Sequence, residues 1–282
     1  MKKRTGVRNR KVPYARPTHM RTALTAPALL ITFVVLGTSC AAPQAPAAPE
    51  PPSVGSTALL VGVRAIPGTP SPQTLRTLPR LSVYGDGRVV APSGRRGALQ
   101  TATIRRLSEA RVRELYGDAY TTARSSAASP EVVDGGVLAL TVAETRRTGT
   151  ARPASVELPL QADEIGDFYE RTDPEKWPDK AFEGGPHPYT PASLAVFATP
   201  AEDADAAPVA WPYDDPGRTG TPTREGQCTV LAADPGRAAQ RLARAATATT
   251  VWRAPGGRTY HLDFRPLLPH ERGCADLGDP GA

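Results

Sequence analysis

The chain has 282 residues, which is long enough for one large domain or two small ones with a sizeable hydrophobic core. A formal charge of +6 often indicates a nucleic-acid partner, but residues 1–39 carry eight of the 34 basic side chains and no acidic one. The rest of the chain has 26 basic and 28 acidic side chains and a charge of −2, so we expect no nucleic acid as a partner.

The N-terminus has the three parts of a secretory signal peptide. A basic segment ends at Arg21, an uncharged stretch with an apolar centre at 28–36 follows, and small residues come next. The apolar centre is about half of the roughly 20 residues that a membrane-spanning helix needs. We therefore predict that residues 1–39 are a signal peptide. Met20 would start a compact signal peptide by itself. In this alternative, Met20 is the true start of the chain and residues 1–19 are a misassigned extension.

The end of this stretch, Leu36-Gly-Thr-Ser-Cys40, resembles the lipobox of bacterial lipoproteins, although Gly37 stands where Leu is usual. The resemblance implies cleavage just before Cys40, a diacylglyceryl group on its thiol and an acyl group such as palmitate on its new amine. Two or more acyl chains give stable anchoring where one is marginal. We therefore expect a lipid anchor on the extracytoplasmic face of the membrane. The alternatives are secretion with an ordinary signal peptide, or an uncleaved anchor.

Residues 40–56 have the composition of a tether. Five of the sixteen residues after Cys40 are proline, and such a segment favours extended polyproline II structure. At about 3.1 Å per residue it would reach roughly 50 Å. A lipid-anchored, proline-rich tether of this length would lift a folded domain off the membrane.

Short runs of apolar and β-branched residues after position 56 favour β-strands. We predict strands at 57–66, 80–90, 137–144, 154–160, 193–199, 227–232, 249–253 and 258–266. Gly85-Asp-Gly87 is typical of a hairpin turn, and Thr148-Gly149 and Pro255-Gly-Gly257 predict two more.

Three helices are expected between the strands. The first begins after Ser108 as its N-cap and carries an apolar stripe, which consists of Val112, Leu115, Tyr116 and Ala119. The second has Asp234 as its predicted cap, with Pro235 in the first turn and a face of small residues. The third covers 163–170.

This order of elements predicts an α+β fold with mainly antiparallel sheets. We expect a globular domain at 57–276, either as one unit or as two modules at 57–170 and 190–276 that an irregular region joins. Residues 277–282 would be a tail.

Cys228 and Cys274 are the two cysteines that remain after Cys40. An even pair in an exported protein is typical of a disulfide, which would enclose 45 residues. Metal ligation is the rival interpretation, but the chain has no CxxC pair to support it.

The last quarter of the chain ends in Arg265-Pro-Leu-Leu-Pro, followed by Cys274. This run and the hairpin at 81–90 resemble a family of actinobacterial lipoproteins that has no assigned activity. The resemblance covers about half of the chain after Cys40. It implies a fold and a location at the cell envelope, and it implies no catalytic residues.

No motif of known catalytic or cofactor chemistry occurs in the sequence, and we expect no cofactor and no metal site. His261 and Asp263 share one face of a predicted strand, but the neighbouring Arg258 and Arg265 favour a solvated hairpin face over an acid–base or metal site. His187 lies in a proline-flanked loop. The three tryptophans are expected to serve packing, and they are Trp177, Trp211 and Trp252.

Three functions stay open. The favoured one is a non-catalytic envelope lipoprotein that binds an envelope protein or a cell-wall ligand. A secreted hydrolase would need a histidine near a carboxylate in a cleft. The hairpin at 252–260 and the terminal disulfide also resemble Streptomyces-type subtilisin inhibitors, but the disulfide-flanked reactive loop of that family is missing.

Overall fold

A computed structural model describes much of the chain after the N-terminal region. The described residues are 49–53, 57–69, 71, 76–125, 135–145, 151–201 and 207–277. The predicted signal peptide, Cys40, most of the tether, the hairpin tip at 148–149 and residues 278–282 lie outside the described residues, so those expectations stay predictions.

The described residues contain thirteen strands and three α-helices. In chain order they are β1 Leu59–Ile66, β2 Leu81–Tyr84, β3 Arg88–Arg96, β4 Leu99–Arg106, α1 Glu109–Thr122, β5 Val137–Thr145, β6 Ala151–Pro159, α2 Asp163–Arg171, β7 His187–Pro188, β8 Ser193–Pro200, β9 Val209–Ala210, β10 Thr221–Thr223, β11 Gly226–Ala232, α3 Ala233–Ala245, β12 Val251–Arg253 and β13 Thr259–Pro266.

All of these strands belong to one sheet, whose main path runs β10-β11-β8-β13-β4-β3-β2-β1-β5-β6. Neighbours pair antiparallel, except that β13 pairs with β4 and β12 pairs with β9 in parallel. The predicted α+β fold with a mainly antiparallel sheet is confirmed. The predicted strand positions recur in the structure. The sequence did not predict β4, which lies in the middle of the sheet, or the short strands β7, β9 and β10.

Two of the predicted hairpin turns are present. The turn between β2 and β3 places Gly87 at a φ of 79°, a left-handed conformation that glycine adopts without steric cost. Its Asp86 carboxylate accepts a hydrogen bond from the backbone N–H of Arg88 at 3.1 Å. The turn between β12 and β13 uses Gly257, whose N–H donates to the carbonyl of Ala254 at 2.9 Å.

The three helices cover one face of the sheet. Val89 points to this face and belongs to a hydrophobic cluster that includes residues of α1 and α2. Leu99 points to the same face and belongs to a second cluster that includes residues of α3. Their neighbours Val90 and Ala102 point to the other face, because side chains alternate along a strand. The helices thus leave the second face free for irregular segments.

The C-terminal segment covers part of this second face. A disulfide joins Cys228 on β11 to Cys274, with a Cα–Cα distance of 6.0 Å. Leu267 and Leu277 pack against Phe197 in the same small cluster. The predicted disulfide is therefore present, and it attaches the segment after β13 to a strand of the sheet.

One predicted helix cap, Ser108, is confirmed, and the other, Asp234, is not. The Ser108 hydroxyl accepts a hydrogen bond from the N–H of Arg111, as predicted for α1. The predicted cap at Asp234 is wrong, because β11 runs directly into α3 and the helix begins at Ala233. Asp234 therefore lies inside the first turn, where it pairs with Arg237 on the surface.

Candidate functional site

Strands β8 and β13 bring several polar side chains together on the face opposite the helices. Their register places Phe197 opposite Asp263 and Thr199 opposite His261. Alternation along each strand puts these four residues on one face, while Leu262 and Phe264 point toward α3. The prediction that His261 and Asp263 share a face of a strand is confirmed.

A cavity of about 610 Å³ opens beside this group. We call it the β8–β13 cavity. Its lining combines two arginines, two carboxylates, a histidine, several threonines and an aromatic ring, and it consists of Arg76, Thr77, Arg95, Phe197, Thr199, Glu225, Ala248, Thr249, His261, Leu262 and Asp263. A concave site with convergent polar groups is the usual form of a ligand-binding site.

Arg76 is the most unusual residue of this cavity. It is only 3% exposed, and its guanidinium lies over the ring of Phe197 at 4.9 Å from the ring centre. Its Nη1 donates to the hydroxyl of Thr199 at 3.3 Å. Nε and Nη2 are buried without a hydrogen-bond partner in the structure. Buried donors without partners cost about 1–3 kcal/mol each, and more when they are charged.

The backbone around Arg76 is held in place by a side chain of β4. Gln100 Nε2 donates to the carbonyl of Arg76, and Gln100 Oε1 accepts from the N–H of Leu78, both at 3.3 Å. Both bonds are buried. The amide of Gln100 therefore fixes the segment before β2 over the sheet, which places the guanidinium of Arg76 at the cavity wall.

Asp263 and His261 differ in their surroundings. Asp263 pairs with Arg95 of β3, so its negative charge is already compensated. His261 is exposed at the mouth of the cavity. Glu225 contributes a further carboxylate from the turn between β10 and β11.

The two arginines that the sequence placed near His261 do not join this site. Arg258 pairs with Asp215 at 2.7 Å near the β12–β13 turn. Arg265 has a fully buried side chain. The prediction of a solvated hairpin face is therefore wrong for Arg265, because the C-terminal segment folds back over it.

Beneath that segment several buried polar groups pair with one another, although Nε of Arg265 has no hydrogen-bond partner. Arg265 Nη1 and Nη2 each donate to one carboxylate oxygen of Glu271 at 2.7 Å, and Glu271 also accepts from the N–H of Leu268 at 2.7 Å. The Tyr84 hydroxyl lies 3.0 Å from Nδ1 of His270. Burial lowers the pKa of His270 and raises the pKa of Tyr84. We assign this cluster to structure rather than to ligand binding.

A second cavity of about 490 Å³ lies near α3 and has an aromatic wall with Trp211 and Tyr213. Trp211 packs edge-on against Trp252 at 5.7 Å and is itself buried. The expectation that tryptophans serve packing is confirmed for both, and Trp177 packs against the first hydrophobic cluster. His187 lies on the exposed strand β7 and does not line the β8–β13 cavity.

The sequence indicated only part of the site. It singled out His261 and Asp263, but it missed Arg76, Phe197 and Thr199. The strand pattern at 193–199 places Phe197 and Thr199 on one face, yet only the pairing of β8 with β13 brings them beside His261. The position of Arg76 depends on a long-range contact with Gln100, which no local pattern indicates.

Comparison with known proteins assigns the chain to no family. The chain matches no family model, and neither a curated protein nor a solved structure matches it significantly. In the part of the chain that the structure describes, no helix is long and apolar enough to cross a membrane. The same residues contain no group of three or more His, Cys, Asp or Glu side chains that could hold a metal ion.

Proposed function

We propose that the chain is an extracytoplasmic lipoprotein, anchored through lipid on Cys40, whose folded part binds an envelope protein or a cell-wall ligand without catalysis. The observation that carries this proposal is the disulfide between Cys228 and Cys274, because such bonds form and persist in oxidising compartments outside the cytoplasm. The lipobox-like run at 36–40 and the proline-rich tether support the same location.

The β8–β13 cavity supports the binding part of the proposal. Its volume of about 610 Å³ lies within the usual range of roughly 300–1,000 Å³ for small-molecule sites. The unpaired donors of Arg76 give such a cavity a polar group that a ligand would satisfy. We therefore place ligand binding in this cavity.

The anchor is tested in the native host by intact mass and detergent partition of the wild-type chain beside Cys40→Ala. We expect the wild type to gain the mass of a lipid and to enter the detergent phase, and Cys40→Ala to lose both properties. Thr38→Ala is the matched control, since it keeps a small residue before the cut and should behave as the wild type. Release of the wild type without lipid would contradict the anchor and favour secretion.

A secreted hydrolase is the second candidate, and the position of His261 favours it. This side chain lines a cavity that also holds Asp263 and Glu225, so a histidine and two carboxylates lie in one cleft and are candidates for a general acid and base. Hydrolysis of a panel of ester and amide substrates by the wild type, lost in His261→Ala, would support an enzyme. The inhibitor hypothesis gains no support, because the segment that carries Cys274 is anchored on the sheet by the buried side chains of Leu267, Leu268 and Leu277.

A further inference from the structure

We infer that the β8–β13 cavity binds the carboxylate group of an organic ligand, and that Arg76 is the residue that receives it. The inference rests on the proposed function of the folded part as a binding module and names the chemical class of its ligand. It depends on three features of the site. They are the two unpaired nitrogens of the Arg76 guanidinium, the hydrogen-bonding groups that line the cavity and the balance of charge.

The free edge of Arg76 has the geometry that a carboxylate needs. Nε and Nη2 carry parallel N–H bonds, and these are the two atoms without a partner, while Nη1 is occupied by Thr199. Two parallel N–H bonds match the two oxygens of a carboxylate, and such bidentate pairs are the strong charge-assisted hydrogen bonds of proteins. Both atoms are inaccessible to solvent, so a carboxylate reaches them only when the Arg76 side chain turns toward the cavity, and it would then satisfy both donors at once.

Neighbouring groups suit a ligand that carries further polar groups beside its carboxylate. The ring of Phe197 lies under the guanidinium and holds it flat. Thr199, Thr249 and His261 line the same cavity and offer hydrogen-bonding groups to the rest of a ligand. The volume of about 610 Å³ exceeds the space that a carboxylate alone would fill.

The charge of the cavity favours a single negative charge over a dianion. Arg95 compensates Asp263, which leaves Arg76 and Glu225 as the remaining full charges of opposite sign. A phosphate dianion would face Glu225 with only one uncompensated arginine. Another cavity shares Arg95 with this one and is also lined by Arg96 and Arg244, whose positive charges favour the approach of anions.

The test uses the full chain in detergent and measures binding by calorimetric titration and ligand-observed NMR. The probes are acetate, N-acetylalanine and a short peptide with a free C-terminus, each beside its amide, together with inorganic phosphate. We expect the carboxylates to bind and the amides not to bind. Binding of acetate and N-acetylalanine alone indicates a small-molecule ligand, whereas tighter binding of the peptide indicates a peptide terminus.

Variants assign the binding to Arg76. Arg76→Lys keeps the charge but loses the parallel donors, so we expect at least a tenfold weaker carboxylate affinity, roughly 1.4 kcal/mol. Arg237→Lys, which changes an exposed arginine of α3, is the matched control and should bind as the wild type. If Arg76→Lys does not fold, Thr199→Val provides the second variant. We expect it to weaken binding, because the guanidinium of Arg76 loses the hydrogen bond from Nη1 that holds it in place.

Several results would overturn the inference. One is equal affinity for a carboxylate and its amide, and another is tighter binding of phosphate than of a carboxylate. A third is unchanged carboxylate affinity in a folded Arg76→Lys variant. The last is no carboxylate binding at about 10 mM, where a site with a Kd of about 1 mM would be mostly occupied. A failure of the lipid anchor would show in membrane partition and would leave carboxylate binding unchanged. The two proposals can therefore fail separately.

Discussion

At the residue scale, a substitution in the ion pair between Arg265 and Glu271 should have a large effect on stability. Both side chains are buried, with relative exposures of 0% and 2%. We expect Glu271→Gln to lower the free energy of unfolding by about 3–5 kcal/mol, because it leaves the buried charge of Arg265 uncompensated. Urea unfolding measures the change. Glu157→Gln, at an exposed position on β6, is the control and should leave stability unchanged.

His270 gives the same region a dependence on pH. Burial lowers its pKa below the ordinary value near 6.5, so the unfolded chain takes up a proton at a higher pH than the folded chain. Stability is therefore retained above that ordinary value and falls as the pH drops toward the lowered one, by at most about 1.4 kcal/mol per pH unit. His270→Asn should flatten this part of the unfolding profile. An unchanged slope in the variant would assign the dependence to other groups.

At the element scale, the two predicted caps, Ser108 of α1 and Asp234 of α3, provide a matched comparison. Ser108 accepts a hydrogen bond from a backbone N–H of α1, and Ser108→Ala should cost about 1 kcal/mol of unfolding free energy. Asp234 caps nothing and forms an exposed pair with Arg237, so Asp234→Ala should cost less than about 0.5 kcal/mol. Urea unfolding of the two variants measures both values. A larger loss in Asp234→Ala would indicate that this residue does cap the helix.

Sequence patterns identified the elements whose signal is local. Strand β1 is a run of mainly apolar residues, and the hairpin of β2 with β3 adds a glycine turn to such a pattern. Both were predicted. Strand β4 was not predicted because Leu99–Arg106 has only three apolar residues among glutamine, threonine and arginine side chains. It is a strand because β3 pairs along its whole length. The pairing of Arg265 with Glu271 likewise depends on the return of the C-terminal segment, which no period in the sequence indicates.

At the scale of the whole molecule, β4 joins the two halves of the sheet. It pairs with β3 on one side, and on the other Leu99 lies opposite Phe264 of β13 in the parallel arrangement. Just before β4, Gly97 has a φ of 61°, and a side chain there would lie 2.4 Å from the carbonyl oxygen of Ala246. The N–H of Ala98 donates to the carbonyl of Ala243 at 2.8 Å, so the turn into β4 also holds the end of α3.

These contacts predict that the two halves unfold together. Trp177 packs against the first hydrophobic cluster, whereas Trp211 and Trp252 belong to the second, so the fluorescence of Trp177→Phe reports the second half alone. We expect its urea midpoint to coincide with the midpoint from circular dichroism of the same variant, which reports the whole sheet. Because β13 and α3 contact β4 and the turn before it, loss of either half should expose the other. Two separate midpoints would instead support independent modules at 57–170 and 190–276.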